Sequence, residues 1–221
     1  MLRRLALLAA RALPLVRPLQ VPREPRGPLA GGSLPELWRC VLEDWNTHGR
    51  DWTKPGFRAL AFHRFGEWRS AIRPRALRAP FSIAYRALYR HARNLYGIEL
   101  PSSARIGRRV VFEHQHGIVV HGNAEIGDGC VLRQGVTLGI RHPDRPREAP
   151  KLGRDVQVGA GAKILGDVTI GDGAVIGANA VVLCDVPAGA MAVGIPARVR
   201  PRAAEPAGES ARPLRLVRRG G

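Results

Sequence analysis

The sequence predicts a mainly β protein in which a coil of six-residue repeats follows a small α-helical domain. Three observations support this. Apolar residues recur at every sixth position after residue 105, helical spacing occurs only before residue 99, and the aromatic residues divide at the same place. All four Trp, all three Tyr and four of the five Phe precede residue 99, and only Phe112 follows it. Two differently built regions are therefore expected, a helical domain at 33–98 and a coil at 99–199.

The first helix of the helical domain is predicted from its cap. Ser33 followed by Glu36 fits a capping box, and Pro35 is tolerated in the first turn of a helix. Apolar residues then recur three and four positions apart as far as Trp45, which is the spacing of one helix face.

Two further helices are predicted by the same spacing, one over 57–68 and one over about 81–96. Gly97 stands where the end of a helix favours a residue that tolerates left-handed backbone. Aromatic residues occupy many of the repeating positions in these helices. We interpret them as a helix-packing core and not as a platform on which nucleic-acid bases stack.

Beyond residue 105 the apolar spacing becomes six, which is the signature of a repeat architecture. The apolar positions form three sets, the second displaced by two residues: Ile106, Phe112 and Ile118; Ile126, Leu132 and Leu138; Leu152, Val158, Ile164, Ile170, Ile176 and Val182. Each hexad makes one short strand and one turn, so about 18 residues complete a circuit of a triangular coil. Glycine and small residues are needed where the backbone turns, and large aromatic residues do not fit the narrow interior.

The net charge of +17 at pH 7 lies mostly in the two ends of the chain. Residues 1–98 carry 18 basic and 6 acidic groups, and residues 200–221 carry 6 and 2, whereas residues 99–199 carry 11 and 10. A large positive charge is typical of proteins that bind nucleic acid. No nucleic-acid motif occurs, however, and the repeats are nearly neutral. We therefore expect no nucleic-acid partner, although the basic ends are compatible with contact to a membrane surface.

The ends of the chain are interpreted as basic extensions of the folded part. Residues 1–32 begin like a signal peptide, but Arg11 interrupts a short apolar stretch and no clear cleavage site follows, so a disordered or targeting-like extension is expected. Residues 200–221 are expected to form a disordered tail. No run of about 18 apolar residues occurs, so no membrane-spanning helix is predicted. Three sparse cysteines indicate reduced thiols and a cytoplasmic protein.

Four segments of the coil match the motifs of one known family. They are Gly-Ile-Val-Val at 117–120, Gln-Gly-Val-Thr-Leu-Gly at 134–139, Gly-Ala-Gly-Ala-Lys-Ile-Leu-Gly at 159–166 and Gly-Ile-Pro-Ala-Arg at 194–198. They closely resemble the serine O-acetyltransferases, which are hexapeptide-repeat acyltransferases, and residues 56–64 look like that family's amino-terminal helices. The resemblance implies a left-handed parallel β-helix. It also implies transfer of acetyl from acetyl-CoA to the hydroxyl of L-serine or a serine-like acceptor, in cysteine biosynthesis.

The resemblance places the catalytic base at His114. Residues 112–117 resemble the family's Asp-His-x-x-Gly motif, and histidine suits a general base because its unperturbed pKa lies near working pH. The carboxylate that orients this imidazole in the family corresponds to Glu99. The Asp that helps to hold the serine amino group corresponds to Glu113. Both are Glu in this chain and one methylene longer.

The insertion at 139–151 interrupts the hexads and must leave the coil, and such loops often carry function. In the family an Arg-His-Pro element here reaches the acceptor carboxylate, so Arg141 and His142 are candidate substrate-binding residues. In this chain the element stands at the start of the loop. When the loop is aligned with the family from its C-terminal end, Ala149-Pro150-Lys151 occupies the place where the Arg-His-Pro element is expected.

The resemblance also implies a coenzyme A groove along the later coils. Its candidate residues are Gly159, Ala160, Gly161 and Ala178, with Lys163 and Arg198 placed to meet the phosphates. In the family the site lies between adjacent β-helices, so a homotrimer or a dimer of trimers is expected. The family's sulfhydrylase partner binds a tail that ends in Ile. Residues 218–221 read Arg-Arg-Gly-Gly, which argues against that complex.

Three alternative functions remain at this point. The two Asp-to-Glu changes and the altered loop leave open a sugar or polysaccharide precursor as the acceptor. The basic ends leave open a module that binds polyanions or membrane surfaces. His116 and His121 have the spacing of zinc ligands in γ-type carbonic anhydrases, which share the fold. A third histidine upstream is absent, since residues 79–83 read Ala-Pro-Phe-Ser-Ile, so acyl transfer is preferred and no metal is expected.

Overall fold

The computed structural model describes residues 33–73 and 75–201 of the chain. The basic extension expected at 1–32 lies outside the described residues, and so does the expected tail from residue 202 onward. Within the described part, helices come first and strands follow, in the order that the apolar spacing predicts.

Three helices precede the coil: α1 (Leu34–Thr47), α2 (Pro55–Ser70) and α3 (Arg75–His91), which continues as a π-helical turn (Ala92–Tyr96). The predicted cap of α1 is confirmed, because the Glu36 amide donates to the Ser33 hydroxyl at 3.3 Å. Gly97 ends the last turn with left-handed backbone at φ 63°, as its position predicts.

Helix α3 begins six residues earlier than its predicted start at about 81. Pro80 lies inside it, and as the sixth residue it removes only one backbone donor close to the N terminus, so the helix continues across it. The predicted aromatic core is confirmed for Phe57, Trp68 and Tyr85, which are buried. It is wrong for Trp38, which is 64% exposed, because α1 turns the face that contains Cys40 towards the rest of the fold.

The coil makes five circuits of three parallel sheets, which we name A, B and C. Sheet A contains β1 (Ile98–Glu99), β4 (Ile118–Val120), β7 (Thr137–Gly139), β10 (Lys163–Leu165) and β13 (Val181–Val182). Sheet B contains β2 (Arg105–Ile106), β5 (Glu125–Ile126), β8 (Lys151–Leu152) and β11 (Thr169–Ile170). Sheet C contains β3 (Val111–Glu113), β6 (Val131–Arg133), β9 (Gln157–Val158), β12 (Val175–Ile176), β14 (Met191–Val193) and β15 (Arg198–Arg200), the last antiparallel to β14.

The interior of the coil contains every apolar residue that the six-residue spacing predicts. All of them are buried, with at most 3% of the side chain exposed. In sheet A, Leu138 aligns with Ile164 of the next circuit and with Val120 of the circuit before it, whereas Ile118 aligns with Ile98. The two-residue displacement is absorbed at the turn between β3 and β4, because Phe112 aligns with Leu132 but Val120 aligns with Leu138. The longer insertion leaves the coil between β7 and β8.

The helices are joined to the first circuit through a buried arginine of α2. Arg64 donates from Nε to Asp44 of α1 at 3.0 Å and from Nη1 to the carbonyl oxygen of Ile106 at 2.8 Å. It also contacts Glu67 and the carbonyl oxygen of Gly107. Burial alone would lower the pKa of Arg64, but the Asp44 and Glu67 carboxylates outweigh it and raise that pKa.

No described helix is both long enough and apolar enough to cross a membrane. The three cysteines lie apart from one another and none forms a disulfide. Cys40 and Cys130 are buried and Cys184 is exposed. Burial raises the pKa of the Cys130 thiol to about 12, so that side chain behaves as an unreactive part of the core.

Candidate active site

A cavity of about 750 Å³ lies where α1 and α2 meet the first circuit of the coil. The helices contribute His48, Gly49, Lys54 and Gly56 to its lining, among others. Strand β3 and the turn after it contribute Phe112, Glu113, His114 and Gln115. The predicted base and the predicted amino-group ligand therefore line one open cavity together with residues of the helical region.

His114 follows β3 directly and has left-handed backbone, with φ at 65°. Histidine tolerates this conformation better than most residues, and unusual backbone of this kind clusters at functional sites. Among the described residues the His114 ring has no hydrogen-bond or ion-pair partner, which leaves its nitrogens available to a substrate. Glu113 is paired across the sheet with Arg133, at 2.9 Å between Oε2 and Nε.

The first turn of α2 packs against β3 at Gly56. A Cβ at this position would overlap the carbonyl oxygen of Phe112 and come within 3.0 Å of its Cβ, so only glycine allows the approach. Because Phe112 is two residues before His114, this contact brings α2 close to the strand that carries the candidate base.

Glu99 lies on β1, beside Val119 of β4 in the following coil. The Tyr89 hydroxyl of α3 donates to its Oε1 at 3.1 Å. Burial, followed by the charge and the hydrogen bond of Glu99, raises the pKa of Tyr89 to about 12, so this hydroxyl keeps its proton at neutral pH. Glu99 lies on β1 of sheet A and His114 on the turn that leads into β4 of the same sheet, but no hydrogen bond joins them within the described chain.

The turns from sheet C to sheet A stack into one column, which we call the C-to-A corner; it contains residues 114–117, 134–136, 159–162 and 177–180. Its backbone hydrogen bonds run from Gly135 N to His116 O at 3.0 Å, from Gly161 N to Gln134 O at 2.8 Å and from Asn179 N to Ala160 O at 2.8 Å. Adjacent coils are about 4.8 Å apart, so Gly159 to Gly161 lie about 10 Å along this corner from His114 and Ala178 about 14 Å. The predicted base and four of the predicted coenzyme A residues, Gly159, Ala160, Gly161 and Ala178, therefore lie along the same corner of the coil.

Most coenzyme A candidates have packing roles of their own. A Cβ on Gly159 would come within 2.6 Å of the Ala178 amide nitrogen, so the coils also need glycine here to stack. Lys163 donates to the carbonyl oxygen of Gly135 at 2.5 Å and to the Thr137 hydroxyl at 3.2 Å. Arg198 is exposed on β15 beside the lower end of the corner.

The inserted loop lies at a different corner of the coil. The aliphatic part of Arg141 packs against Gly166, and Asn123 donates to the Pro146 carbonyl oxygen at 2.6 Å, which places the loop between sheets A and B. Arg141 and His142 are exposed there. Within one chain the structure therefore does not bring these two residues to His114.

The two histidines of the zinc alternative have separate surroundings. His116 Nε2 lies 3.4 Å from Gln115 Nε2, and His121 Nδ1 accepts from the Asn123 amide at 3.3 Å. In the part of the chain that the structure describes, no group of three His, Cys, Asp or Glu side chains is placed to hold a metal ion.

Two lining residues, His48 and Lys54, were not identified from the sequence. His48 follows α1 directly and Lys54 directly precedes α2. Apolar spacing identifies the buried face of a helix and not the polar residues at its ends, so neither residue was predicted. For Lys54 a signal was available, because the N-terminus of a helix favours anionic ligands, whereas His48 at the C-terminus of α1 had no such signal.

Comparison with known proteins agrees with this architecture. The family model of the bacterial transferase hexapeptide, with six repeats, matches residues 149–184. The chain is 41% identical over 145 residues to a serine acetyltransferase of Synechococcus elongatus, covering 66% of this chain and 57% of that protein. It is 42% identical over 144 residues to a serine acetyltransferase of Helicobacter pylori, covering 65% of this chain and 80% of that protein.

Solved structures give the same result for the fold. A soybean serine acetyltransferase complexed with serine superposes with a TM-score of 0.63 at 35% identity, covering 75% of this chain and 70% of that one. A serine acetyltransferase from Brucella abortus in complex with coenzyme A superposes with a TM-score of 0.65 at 28% identity, covering 75% and 68%. This chain is therefore a member of the serine acetyltransferase family of hexapeptide-repeat transferases.

Proposed function

We propose that this protein transfers the acetyl group of acetyl-CoA to the hydroxyl of L-serine, forming O-acetylserine and free coenzyme A. The observation that carries the proposal is the position of His114, which lies in the cavity and at the head of the C-to-A corner. The choice of substrates is supported by one serine acetyltransferase solved with serine and another solved with coenzyme A.

The proposed reaction uses His114 as a general base. The serine oxygen attacks the thioester carbonyl carbon while His114 takes the hydroxyl proton, and a tetrahedral intermediate forms. The intermediate collapses with loss of the coenzyme A thiolate, which receives the proton from the His114 imidazolium. Glu99 is proposed to orient the imidazole once substrate is bound, held in turn by Tyr89. Glu113 is proposed to face the serine ammonium.

Coenzyme A is proposed to lie along the C-to-A corner with its thioester at His114. The half-buried Ala160 and the exposed Ala178 border this path, and the exposed Arg198 is proposed to meet a phosphate at its lower end. Lys163 retains one ammonium proton beyond its two hydrogen bonds to the coil, and its charge favours the same anion.

A homotrimer is proposed because it would bring Arg141 and His142 of one chain to the His114 corner of the next. The two sites lie at different corners of a single coil, and the coil exposes apolar side chains such as Val119 on its outer face. Light scattering of the purified protein is expected to give the mass of three or six chains of 24.0 kDa. A monomer at assay concentrations would contradict this arrangement.

Thiol release from acetyl-CoA tests the reaction. With L-serine as acceptor we expect steady turnover, because the hydroxyl, the base and the thioester then meet in one site. O-methyl-L-serine is the matched control, since it lacks only the hydroxyl proton, and it should give no release above hydrolysis. Turnover with a hexose but not with L-serine would instead support the sugar acceptor. If none of the hydroxyl compounds supported turnover, that result would contradict acyl transfer.

A further inference from the structure

Helix α3 and the residues next to it carry positive charge that the fold does not neutralise. Residues 68–98 contain seven arginines and no acidic residue, since Glu67 precedes the segment and Glu99 follows it. None of the seven forms an ion pair with the residues that the structure describes, 33–73 and 75–201. These arginines are Arg69, Arg73, Arg75, Arg78, Arg86, Arg90 and Arg93.

The arginines lie close enough to affect one another. Arg69 donates to the Ser82 hydroxyl at 3.1 Å, and its guanidinium carbon lies 4.4 Å from the centre of the Tyr85 ring. Burial lowers the pKa of Arg69, and the charges of Arg78 and Arg86 lower it further, while Tyr85 acts in the opposite direction. An anion that approaches this surface is therefore attracted by several arginines at once.

The side of α3 that faces solvent is apolar. The opposite side packs on α2, where Tyr85 is buried and a Cβ on Gly66 would come within 2.4 Å of the Tyr85 ring. On the solvent side Leu77 is 64% exposed and Ile83 is 68% exposed. Exposed apolar residues that form a continuous surface mark sites of interaction. The apolar side of α3 consists of the exposed residues Ala76, Leu77, Pro80, Ile83, Ala84 and Ala87.

A row of arginines borders the apolar side of α3. Arg75, Arg86 and Arg90 are all exposed, and their spacing of eleven and four residues puts them on one edge of the helix. A helix with an exposed apolar side and arginines along its edge is typical of helices that lie in the interface of a membrane. Nucleic acid fits this surface less well, because aliphatic side chains do not provide the flat rings on which bases stack.

We propose that α3 attaches this protein to the surface of an anionic lipid bilayer. The apolar side of α3 enters the headgroup region, and the arginines at its edge bind lipid phosphates. The helix has 17 residues and is about 25 Å long, so it presents several side chains to the surface when it lies parallel to it. The long aliphatic part of arginine lets the guanidinium reach the headgroups while its stem contacts apolar groups. This inference goes beyond the proposed function, because acetyl transfer does not need a membrane.

Flotation of the full-length chain with lipid vesicles tests the proposal. We expect the protein to float with vesicles of phosphatidylglycerol and phosphatidylcholine and to stay in solution with phosphatidylcholine alone. Raising the salt concentration should weaken the binding, because salt screens the attraction between arginines and phosphates. Equal flotation with both kinds of vesicle, or none with either, would overturn the proposal.

A pair of charge variants locates the contact. Arg86→Gln combined with Arg90→Gln should lower the partition coefficient on the order of thirtyfold, the usual effect of two arginines at an anionic surface. The matched control is Arg39→Gln combined with Arg200→Gln, which removes two exposed arginines outside residues 68–98. The control should stay within about threefold of the wild type. Equal losses in the two double variants would indicate attraction to the whole chain and would contradict a contact through α3.

A pair of apolar variants tests insertion. Leu77→Ser combined with Ile83→Ser keeps the charge but should lower the partition coefficient on the order of tenfold. Leu34→Ser combined with Leu42→Ser is the matched control, because both leucines are at least 50% exposed on α1. Urea unfolding should give similar midpoints for all variants, since each changed side chain is exposed.

Fluorescence from a label on α3 decides the site independently of the other basic parts of the chain. An environment-sensitive dye is attached to Ile83→Cys, with Leu42→Cys as the control, after the exposed Cys184 is replaced by Ser. Anionic vesicles should shift the emission of the α3 label to the blue and leave that of the control unchanged. Flotation without a shift at residue 83 would assign the binding to another part of the chain. Binding to duplex DNA without flotation would assign the arginines to nucleic acid, and either result would overturn the proposal.

Discussion

Replacing His114 by alanine should lower kcat by about 10²- to 10⁴-fold, the usual contribution of a positioned general base. The base acts only while the hydroxyl loses its proton, so KM for acetyl-CoA should change little. Thiol release measured over a range of both substrates gives the two constants separately. An effect on kcat without an effect on binding is the result that assigns the proton transfer to this side chain.

His116→Ala is the matched control for that experiment. His116 lies two residues away and also has left-handed backbone, with φ at 71°, so both substitutions impose a similar backbone cost. Its ring contacts Gln115 and it is not part of the cavity lining. We expect kcat of His116→Ala to stay within a few-fold of the wild type. Equal rates for His114→Ala and the wild type would reject the general-base mechanism.

Replacing Arg64 by methionine should destabilise the protein by about 3–5 kcal/mol, which is the usual cost of removing one partner from a buried ion pair. The side chain is fully buried, and its loss would leave Asp44, which is 1% exposed, without its cation. The carbonyl oxygens of Ile106 and Gly107 would lose their donors as well. Urea unfolding followed by fluorescence of the four tryptophans, all in the helical region or its flank, measures the change.

Arg105→Met is the matched control on the surface. Its partner is Glu125 at 3.0 Å, and both side chains are largely exposed, so a loss of about 1 kcal/mol or less is expected. The double variant Arg64→Met with Asp44→Leu should recover part of the stability, since the uncompensated charge is then also removed. Equal losses for the Arg64 and Arg105 variants would show that the buried network stabilises the protein no more than a surface ion pair does.

The predictions made from the sequence succeeded where the structure is set by local repetition. A strict spacing of six, with Ile and Val at the inward position and Gly beside it, allowed most inward residues to be identified by counting. The exception is Val120, which the structure aligns with Leu138 where counting had chosen Ile118. The helix cap at Ser33 is equally local, because the groups that satisfy each other are three residues apart. Trp38 was misplaced because the periodicity of a helix locates its apolar stripe but not the neighbour that covers it.

The sequence by itself determined the coil and most of its register, because repeat spacing depends on neighbours along the chain. His114 became the candidate base through the resemblance of a short contiguous motif to a known family. Only the tertiary structure decided what surrounds that base. Three features join segments about 50 residues apart in the chain. They are the approach of Gly56 to Phe112, the hydrogen bonds of Arg64 to the first circuit, and the cavity that His48 and Lys54 line together with the end of β3. Such contacts depend on how helices pack against the coil, which no spacing within either segment specifies.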